Sequence, residues 1–406
     1  YTSGSTGNPK GVMLQHRSVL NFITGMREVI DFETSQTMLS LTTISFDIFV
    51  LETLLPLLGG MTVVLGDHQH QVNPQALGEL IAHHHIEMLQ MTPSRLQMLL
   101  GHEAGSRALQ GVKAIMVGGE ALPSKLLAAL QEINGPRIYN MYGPTETTVW
   151  STVQELTHAQ QINIGRPIAN TQIYILNANG ELQPVGVPGE LCIAGEGLAR
   201  GYWKREELTA EKFVNHPFAG DKAGHERMYR TGDLARWMLD GNIEYLGRMD
   251  HQIKIRGYRI ELGEIESQLL QVESVQEAVI MARTDETGQT QLVAYYVASQ
   301  ELGANELRQK LGQALPNYMV PSYFIWLEQM PLTPNGKIDR KSLPAPEGSL
   351  HSGAEYAAPR TVAERALVAI WQSILGVSTV GILDNFFDLG GDSIKAIQIV
   401  SRAFQA

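Results

Sequence analysis

Apolar positions along the 406-residue chain recur in two rhythms. Short continuous runs, "MTVVL" at 61–65, "KAIMVGG" at 113–119 and "RIYNMYG" at 137–143, predict buried strands, and "PSKLLAALQEI" between the last two predicts a helix. Such alternation over residues 1 to about 200 predicts an α/β architecture with crossover helices and ligand loops at the strand ends. From 163 to 248 the pattern shortens to β runs parted by Gly and Pro, as in "TQIYILNANGELQPVGVPGELCIAG", with a turn expected at Asn179-Gly180. A second, β-rich layer is expected there. Next, "HQIKIRGYRI" alternates as a strand and "ELGEIESQLLQ" begins a helix; "EAVIMAR", "QLVAYYVA" and a helix around "ELRQKLGQAL" complete a small α+β unit ending near Leu343. The stretch "LPAPEGSLHSGAEYAAPR" reads as a linker. Beyond it Thr361 and Glu364 fit a capping box, and Leu367, Ile370, Trp371, Ile374 and Leu375 fall at helical spacing, so an all-helical module is expected.

Composition narrows the class. Hydrophobic residues make up 44%, enough for two or three packed domains. The net charge of −11 is spread thinly and Lys and Arg form no long run, which argues against a nucleic-acid or acidic-membrane partner. No apolar run approaches the ~18–20 residues of a membrane span. Cys192 is the only cysteine, so no internal disulfide is available, and a reducing, cytoplasmic setting is expected. The sequence starts inside a motif and stops within a helical pattern, and we expect it to be part of a longer polypeptide. The run His83 to His85 lacks Cys or spaced carboxylates and reads as a solvated helix end rather than a metal site.

The opening "YTSGSTGNPKGVML" has the chemistry of a phosphate loop: small residues admit backbone amides, hydroxyls donate, and Lys10 adds a charge. It is not a P-loop, because Pro9 and Gly11 stand where that pattern needs Gly and Ser or Thr. A polar surface turn uses the same residues, and the loop alone does not choose between them.

Five further segments do. "NMYGPTETTVW" (140–150), "YRTGDLARW" (229–237), "GRMDHQIKIRGYRIELGEIE" (247–266) and "NGKIDRKSLP" (335–344) follow in order, and "DNFFDLGGDSIKA" comes at 384–396. Together they resemble the adenylation domain of a nonribosomal peptide synthetase, in the adenylate-forming superfamily with acyl-CoA ligases and luciferase, followed by a peptidyl carrier domain. The resemblance implies a multidomain α/β fold: the C-terminal portion of a large adenylation domain at 1–249, a mobile small subdomain at 250–343, a linker at 344–360 and the N-terminal portion of a carrier at 361–406. ATP, Mg2+ and 4′-phosphopantetheine are the implied cofactors. An amino acid, a phosphopantetheinyl transferase and neighbouring domains such as condensation are the implied partners.

Carried over residue by residue, the resemblance makes Thr2, Ser3, Gly4, Ser5, Thr6 and Gly7, with Lys10, the pyrophosphate-side loop. Tyr142, after a strand and before Gly143, would stack adenine, though a core tyrosine fits the pattern too. Asn140 would offer its amide to the base. Glu146 supplies oxygen for Mg2+ and Thr145 a hydroxyl for phosphate; a capping Thr with a first-turn Glu explains that spacing almost as well. Asp233 has two acceptor oxygens for the ribose diol, flanked by Tyr245 and Arg248. Lys337 would bridge the substrate carboxylate and ATP oxygens, Asp250 would be the hinge, and Gly257 would approach the thiol. Ser393, read locally an N-cap, would carry phosphopantetheine at a helix start.

Asp47 in "SFDIFVLE" is a carboxylate between apolar neighbours, unusual unless it meets a cation or caps a helix. In the family it binds the substrate ammonium. The remaining pocket positions carry over as Ile48, Leu51, Gln90, Met116, Gly118, Met141, Val149 and Trp150, completed by Lys337; each would serve equally as ordinary core. Large residues and no second charge leave room for little side chain. The set resembles the family's glycine-type pocket, with Met116 and Met141 in place of leucines, so glycine is expected first and alanine as a weaker substrate. A free-standing acyl-CoA or aryl-CoA ligase would share much of this chemistry but has no use for Asp47 or Ser393. A silent scaffold would not need Glu146, Asp233 and Lys337.

Overall fold

The fold is that of a computed structural model, which describes all residues except 3–8, 220–225, 250–251, 256–257, 285–289, 332–337, 347–355, 378, 387–388, 390, 392 and 404–406. The described residues as far as Arg259 form one compact unit, and those from Ile260 onward form another.

The first unit is organised by a seven-stranded sheet. Its strands are β1 (Thr37–Ser40), β2 (Thr62–Leu65), β3 (Met88–Met91), β4 (Ala114–Gly118), β5 (Arg137–Tyr142), β6 (Thr152–Glu155) and β7 (Arg166–Pro167), in the order β2-β1-β3-β4-β5-β6-β7. The first five run parallel, and β6 and β7 are antiparallel. The predicted strands and the helix Ser124–Gln131 all form.

Side-chain alternation along the strands splits the core in two. Met88, Met116, Tyr139 and Met141 point to one face, where the helix His16–Val29 lays Phe22 and Met26 and the turn after β1 contributes Ile48, Leu51 and Leu55. Leu89, Ile115, Val117 and Ile138 point to the other, covered by Leu77 and Ile81, Leu96 and Leu99, and Leu126 and Leu130 of three further helices. The register sets Gln90 beside Met116 and Gly118 beside Met141, so the pocket positions of β3, β4 and β5 share one face. A one-residue slip would send them all to the other.

A second, antiparallel sheet follows, as the shortened pattern predicts: β8 (Thr171–Leu176), β9 (Gly189–Gly195), β10 (Phe213–Asn215), β11 (Arg227–Trp237) and β12 (Ile243–Arg248). The Asn179-Gly180 turn forms, with Gly180 at φ +80°. The 3₁₀ turn Thr145–Thr147 lies between β5 and β6, and the loop 196–202 follows β9. His83 closes the helix Pro74–His83 and all three histidines are exposed, as a solvated helix end requires. The expected strand "HQIKIRGYRI" is described as two, β13 (Gln252–Ile255) and β14 (Tyr258–Glu261).

In the second unit β15 (Val275–Thr284) pairs antiparallel with β16 (Thr290–Ala298), and β16 pairs parallel with β17 (Tyr323–Leu327). The helices Leu262–Leu269 and Ala304–Ala314 bury Ile265, Leu269, Leu307 and Leu311. Towards the C-terminus the capping box of Thr361 and Glu364 opens the helix Val362–Leu375, which Gly376 ends in the left-handed region. Its inward face is rotated from the expected one. Leu367 is 43% exposed, while Val368 and Trp371 join Leu375, Val380 and Leu389 in a small cluster, Trp371 meeting Phe386 edge to face at 5.3 Å. Ser393 is the first residue of the helix Ser393–Ala403, and Arg402 donates to Ser373 at 2.7 Å.

Candidate active site

The candidate site lies at the carboxyl ends of β3, β4 and β5 and in the loops that follow, where open parallel sheets bind ligands. It has a polar side and an apolar side. Ser3, Gly4, Ser5, Thr6, Gly7, Lys337, Asp250 and Gly257 fall outside the described residues. The rest can be placed.

On the polar side the chain pairs with itself at the base of the opening loop, Thr2 and Lys10 exchanging backbone bonds of 2.9 and 2.8 Å. Lys10 is buried, with Nζ 3.9 Å from Glu146 Oε1 and 5.0 Å from the centre of the Tyr202 ring. Glu146 is fully buried and accepts a 2.7 Å bond from the Tyr202 hydroxyl. Burial, and then the nearby Glu146 charge, hold that phenol far above its ordinary range, so it stays a donor. The capping alternative for "TET" is not taken up: Pro144 occupies the N-cap, and no side chain caps the turn.

A strained segment follows. Thr148 and Val149, both β-branched, have φ of 67° and 66°, in the left-handed region, at a cost on the order of 1–3 kcal/mol each. The loop after β9 ties this segment twice: Thr148 Oγ1 donates to the Gly197 carbonyl at 2.7 Å, and Ala199 N–H donates to the carbonyl of the neighbouring Glu146 at 2.9 Å. The strain swings Val149 and Trp150 towards the apolar side while Glu146 stays on the polar one.

A second polar group gathers around Asp233. Asp233 lies inside β11 at a bulge, where Gly232 takes φ +72° and the register with β9 is interrupted between Arg230 and Leu234. One carboxylate oxygen accepts from the Tyr142 hydroxyl and the other from Arg248 Nη1 at 3.1 Å. Each oxygen keeps a further lone pair, so ribose hydroxyls can still donate. Burial, then Asp233, push the Tyr142 phenol well above its usual range. Its ring packs with Ile164, Ile173 and Leu191, with the half-buried Tyr245 ring 6.0 Å away. Tyr142 thus packs in the core with its ring while its hydroxyl reaches Asp233. Asn140 spends one amide hydrogen on the Asn163 carbonyl at 2.7 Å, a tie invisible in the sequence.

On the apolar side Ile48, Leu51, Met116, Met141, Val149 and Trp150 form part of a single buried cluster. A Cβ added to Gly118 would lie 2.6 Å from Cη2 of Trp150 and 2.9 Å from the Met141 carbonyl oxygen, so only glycine fits beneath the indole. Asp47 is half-buried, and the helix Phe49–Glu52 takes its N-cap at Ile48, not Asp47. Both polar atoms of the Gln90 amide, and Nε1 of Trp150, are buried without a hydrogen-bond partner among the described residues. Groups left in that condition cost ~1–3 kcal/mol each and call for a partner that arrives.

Glu146 with the half-buried Thr145 hydroxyl suits Mg2+, which takes one or two carboxylates and fills its shell with water and phosphate oxygens. Among the described residues no three or more His, Cys, Asp or Glu gather to hold a metal unaided. The sequence reading missed Tyr202, in "ARGYW", because its tie to Glu146 spans 56 positions.

Comparison with known proteins gives the family. Residues 1–203 match the AMP-binding enzyme family, 264–337 its C-terminal domain, and 365–404, which include Ser393, the phosphopantetheine attachment site. The chain belongs to the family of AMP-binding enzymes, and the order of its segments is that of a nonribosomal peptide synthetase, adenylation then carrier. It is 49% identical over 411 residues to tyrocidine synthase 3 of Brevibacillus parabrevis, covering 100% of this chain and 6% of that protein. Among solved structures it resembles a four-domain nonribosomal peptide synthetase bound to AMP and glycine (41% identity, TM-score 0.56, 98% of this chain and 30% of that one). It also resembles a synthetase protein with adenylation and carrier domains bound to a vinylsulfonamide inhibitor (26% identity, TM-score 0.81, 100% of this chain and 67% of that one). With that membership come ATP, Mg2+ and 4′-phosphopantetheine as cofactors. No helix among the described residues is long and apolar enough to cross a membrane.

Proposed function

We propose that this chain activates an amino acid, glycine foremost, with MgATP, and passes the aminoacyl group to the thiol of 4′-phosphopantetheine on Ser393. The observation that carries the substrate reading is the closed end of the pocket: Trp150 lies across Gly118, with Leu51, Met116, Met141 and Val149 all buried around it. A half-buried carboxylate at Asp47 for an ammonium group, next in sequence to the buried Ile48 of the same cluster, suits an amino acid without a side chain. The glycine and AMP bound to the 41% identical synthetase support the same reading. Met116 and Met141, where the family's glycine-type pocket has leucines, make the wall softer, and a methyl group is worth only ~1–3 kcal/mol of discrimination. Alanine is therefore the expected second substrate.

In the first half-reaction a carboxylate oxygen of the amino acid attacks the α-phosphorus. The bond to the bridging oxygen breaks, leaving aminoacyl-AMP and pyrophosphate. Little proton transfer is needed, so rate comes from in-line positioning and charge neutralisation. Lys10 and the opening loop would take the pyrophosphate side, Lys337 would bridge the carboxylate and the phosphate, and Asn140, Tyr142, Gly143, Asp233, Tyr245 and Arg248 would hold the nucleoside. Mg2+, held by Glu146 beside Thr145, supplies further neutralisation when bound. In the second half-reaction Asp250 would be the hinge and Gly257 the approach for the thiol, and thiol attack on the adenylate carbonyl releases AMP. A phosphopantetheinyl transferase and neighbouring synthetase domains are the proposed partners, and the cytoplasm the proposed setting.

Glycine-dependent ATP–pyrophosphate exchange tests the reading. Lys337→Ala is expected to abolish exchange while the melting temperature stays within a degree or so. Unchanged turnover in that variant would overturn the mechanism.

A further inference from the structure

Tyr202 sits where three features of the polar side converge. Its hydroxyl donates to Glu146 Oε1 at 2.7 Å, and its ring lies under the Lys10 ammonium, 5.0 Å from the centroid, while Lys10 Nζ is itself 3.9 Å from the same carboxylate oxygen. All three side chains are buried, Glu146 completely. A phenol with both its polar tip and its π-face in use is a poor candidate for filler. Phenylalanine would serve an apolar cluster better.

The surroundings fix Tyr202 in turn. Its backbone N–H donates to Thr209 Oγ1 at 2.9 Å, and its ring meets Phe213 edge to face at 5.6 Å in a cluster with Ala199 and Tyr229. Arg227 donates to the carbonyls of Arg200 and Ala199 at 3.0 and 3.1 Å, closing the loop from behind. The same loop accepts from the strained Thr148 at the Gly197 carbonyl and donates to the Glu146 carbonyl from Ala199. Glu146 is therefore gripped at its carbonyl and its carboxylate by one short segment.

We propose that Tyr202 is a positioning residue for the nucleotide, aiming the Glu146 carboxylate and the Lys10 ammonium at the phosphates before MgATP arrives. The inference rests on the reading that Glu146 serves Mg2+ in this chain. Without the phenol the carboxylate loses its competitor to the Lys10 ammonium, already 3.9 Å from Oε1, and that pair tightens at the ligand's expense.

The test is equilibrium titration of the whole chain with ATP, in Mg2+ and again with the metal chelated, for wild type, Tyr202→Phe, Glu146→Gln and the double variant. Tyr202→Phe removes only the hydroxyl, and is expected to weaken MgATP about ten-fold, as loss of a hydrogen bond to a charged group does. With the metal chelated the difference should shrink to within two-fold, the KM for the amino acid should stay unchanged, and the double variant should bind no worse than Glu146→Gln. Phe213→Leu controls for packing: it disturbs the same cluster without touching Glu146, and should lower the melting temperature but not MgATP affinity. MgATP weakened by Glu146→Gln but not by Tyr202→Phe would overturn the proposal and leave the metal reading standing. Equal weakening by Phe213→Leu would also overturn it, by reducing Tyr202 to packing. Unchanged affinity in Glu146→Gln would overturn the metal reading and the proposal with it.

Discussion

The two sides of the site are prepared for their ligands in opposite ways. On the nucleotide side the polar groups are tied to one another before anything binds: Tyr202 to Glu146, Tyr142 and Arg248 to Asp233, Asn140 to Asn163. On the amino-acid side the wall is apolar and tightly packed, and its polar atoms on Gln90 and Trp150 have no partner among the described residues. Internal ties would hold charge ready for the proposed triphosphate, whichever amino acid is being activated. A wall of packed carbon selects by exclusion, and leaves its unsatisfied atoms for whatever fits. On the proposed reading, recognition of ATP is built from bonds within the protein, and choice of amino acid from missing space.

The largest expected effect comes from breaking a tie on the nucleotide side. Asp233→Ala removes the carboxylate that accepts from both Tyr142 and Arg248, while Arg248 keeps its 2.8 Å bond to the Thr231 carbonyl, and should cost about 3 kcal/mol of stability as well as most ATP affinity. Thermal denaturation with ATP titration checks this, and a melting temperature close to wild type would mean that the carboxylate does not organise that side. Next in size, Gly118→Ala presses a methyl group into Trp150 and should cost about 1–3 kcal/mol. Glycine-dependent exchange should be lost there while ATP still binds. Loss of both ligands together would dissolve the distinction between the sides.

The smallest effect sharpens the contrast most. Gln90→Leu replaces an amide without partners among the described residues by a hydrocarbon of similar size and should stabilise the chain by about 1–2 kcal/mol, while raising the KM for glycine several-fold. Calorimetry and exchange kinetics read the two changes separately. A fall in stability would show that the amide is already satisfied.

Much of this was legible in the sequence because it is local. Runs at 61–65, 113–119 and 137–143 became strands, and the Thr361 capping box closed as its spacing predicts. The pocket set came together because strand register places Gln90 by Met116 and Gly118 by Met141. What escaped is nonlocal or rotational. The Tyr202–Glu146 bond joins segments 56 positions apart, and the bulge at Asp233 depends on pairing with two other strands. On the helix Val362–Leu375 the spacing correctly indicated a helix, but one residue's rotation decides whether Leu367 or Val368 faces inward. The carrier's own packing makes that choice, and no spacing rule within the helix contains it.

Amino-acid-dependent ATP–pyrophosphate exchange, measured on the intact protein with each proteinogenic amino acid in turn, tests the central claim most directly. The expected result is a dominant signal with glycine and a weaker one with alanine. A dominant signal with any larger amino acid would contradict the closed pocket formed by Gly118, Met116, Met141 and Trp150, and no exchange with any amino acid would contradict the proposed activity itself.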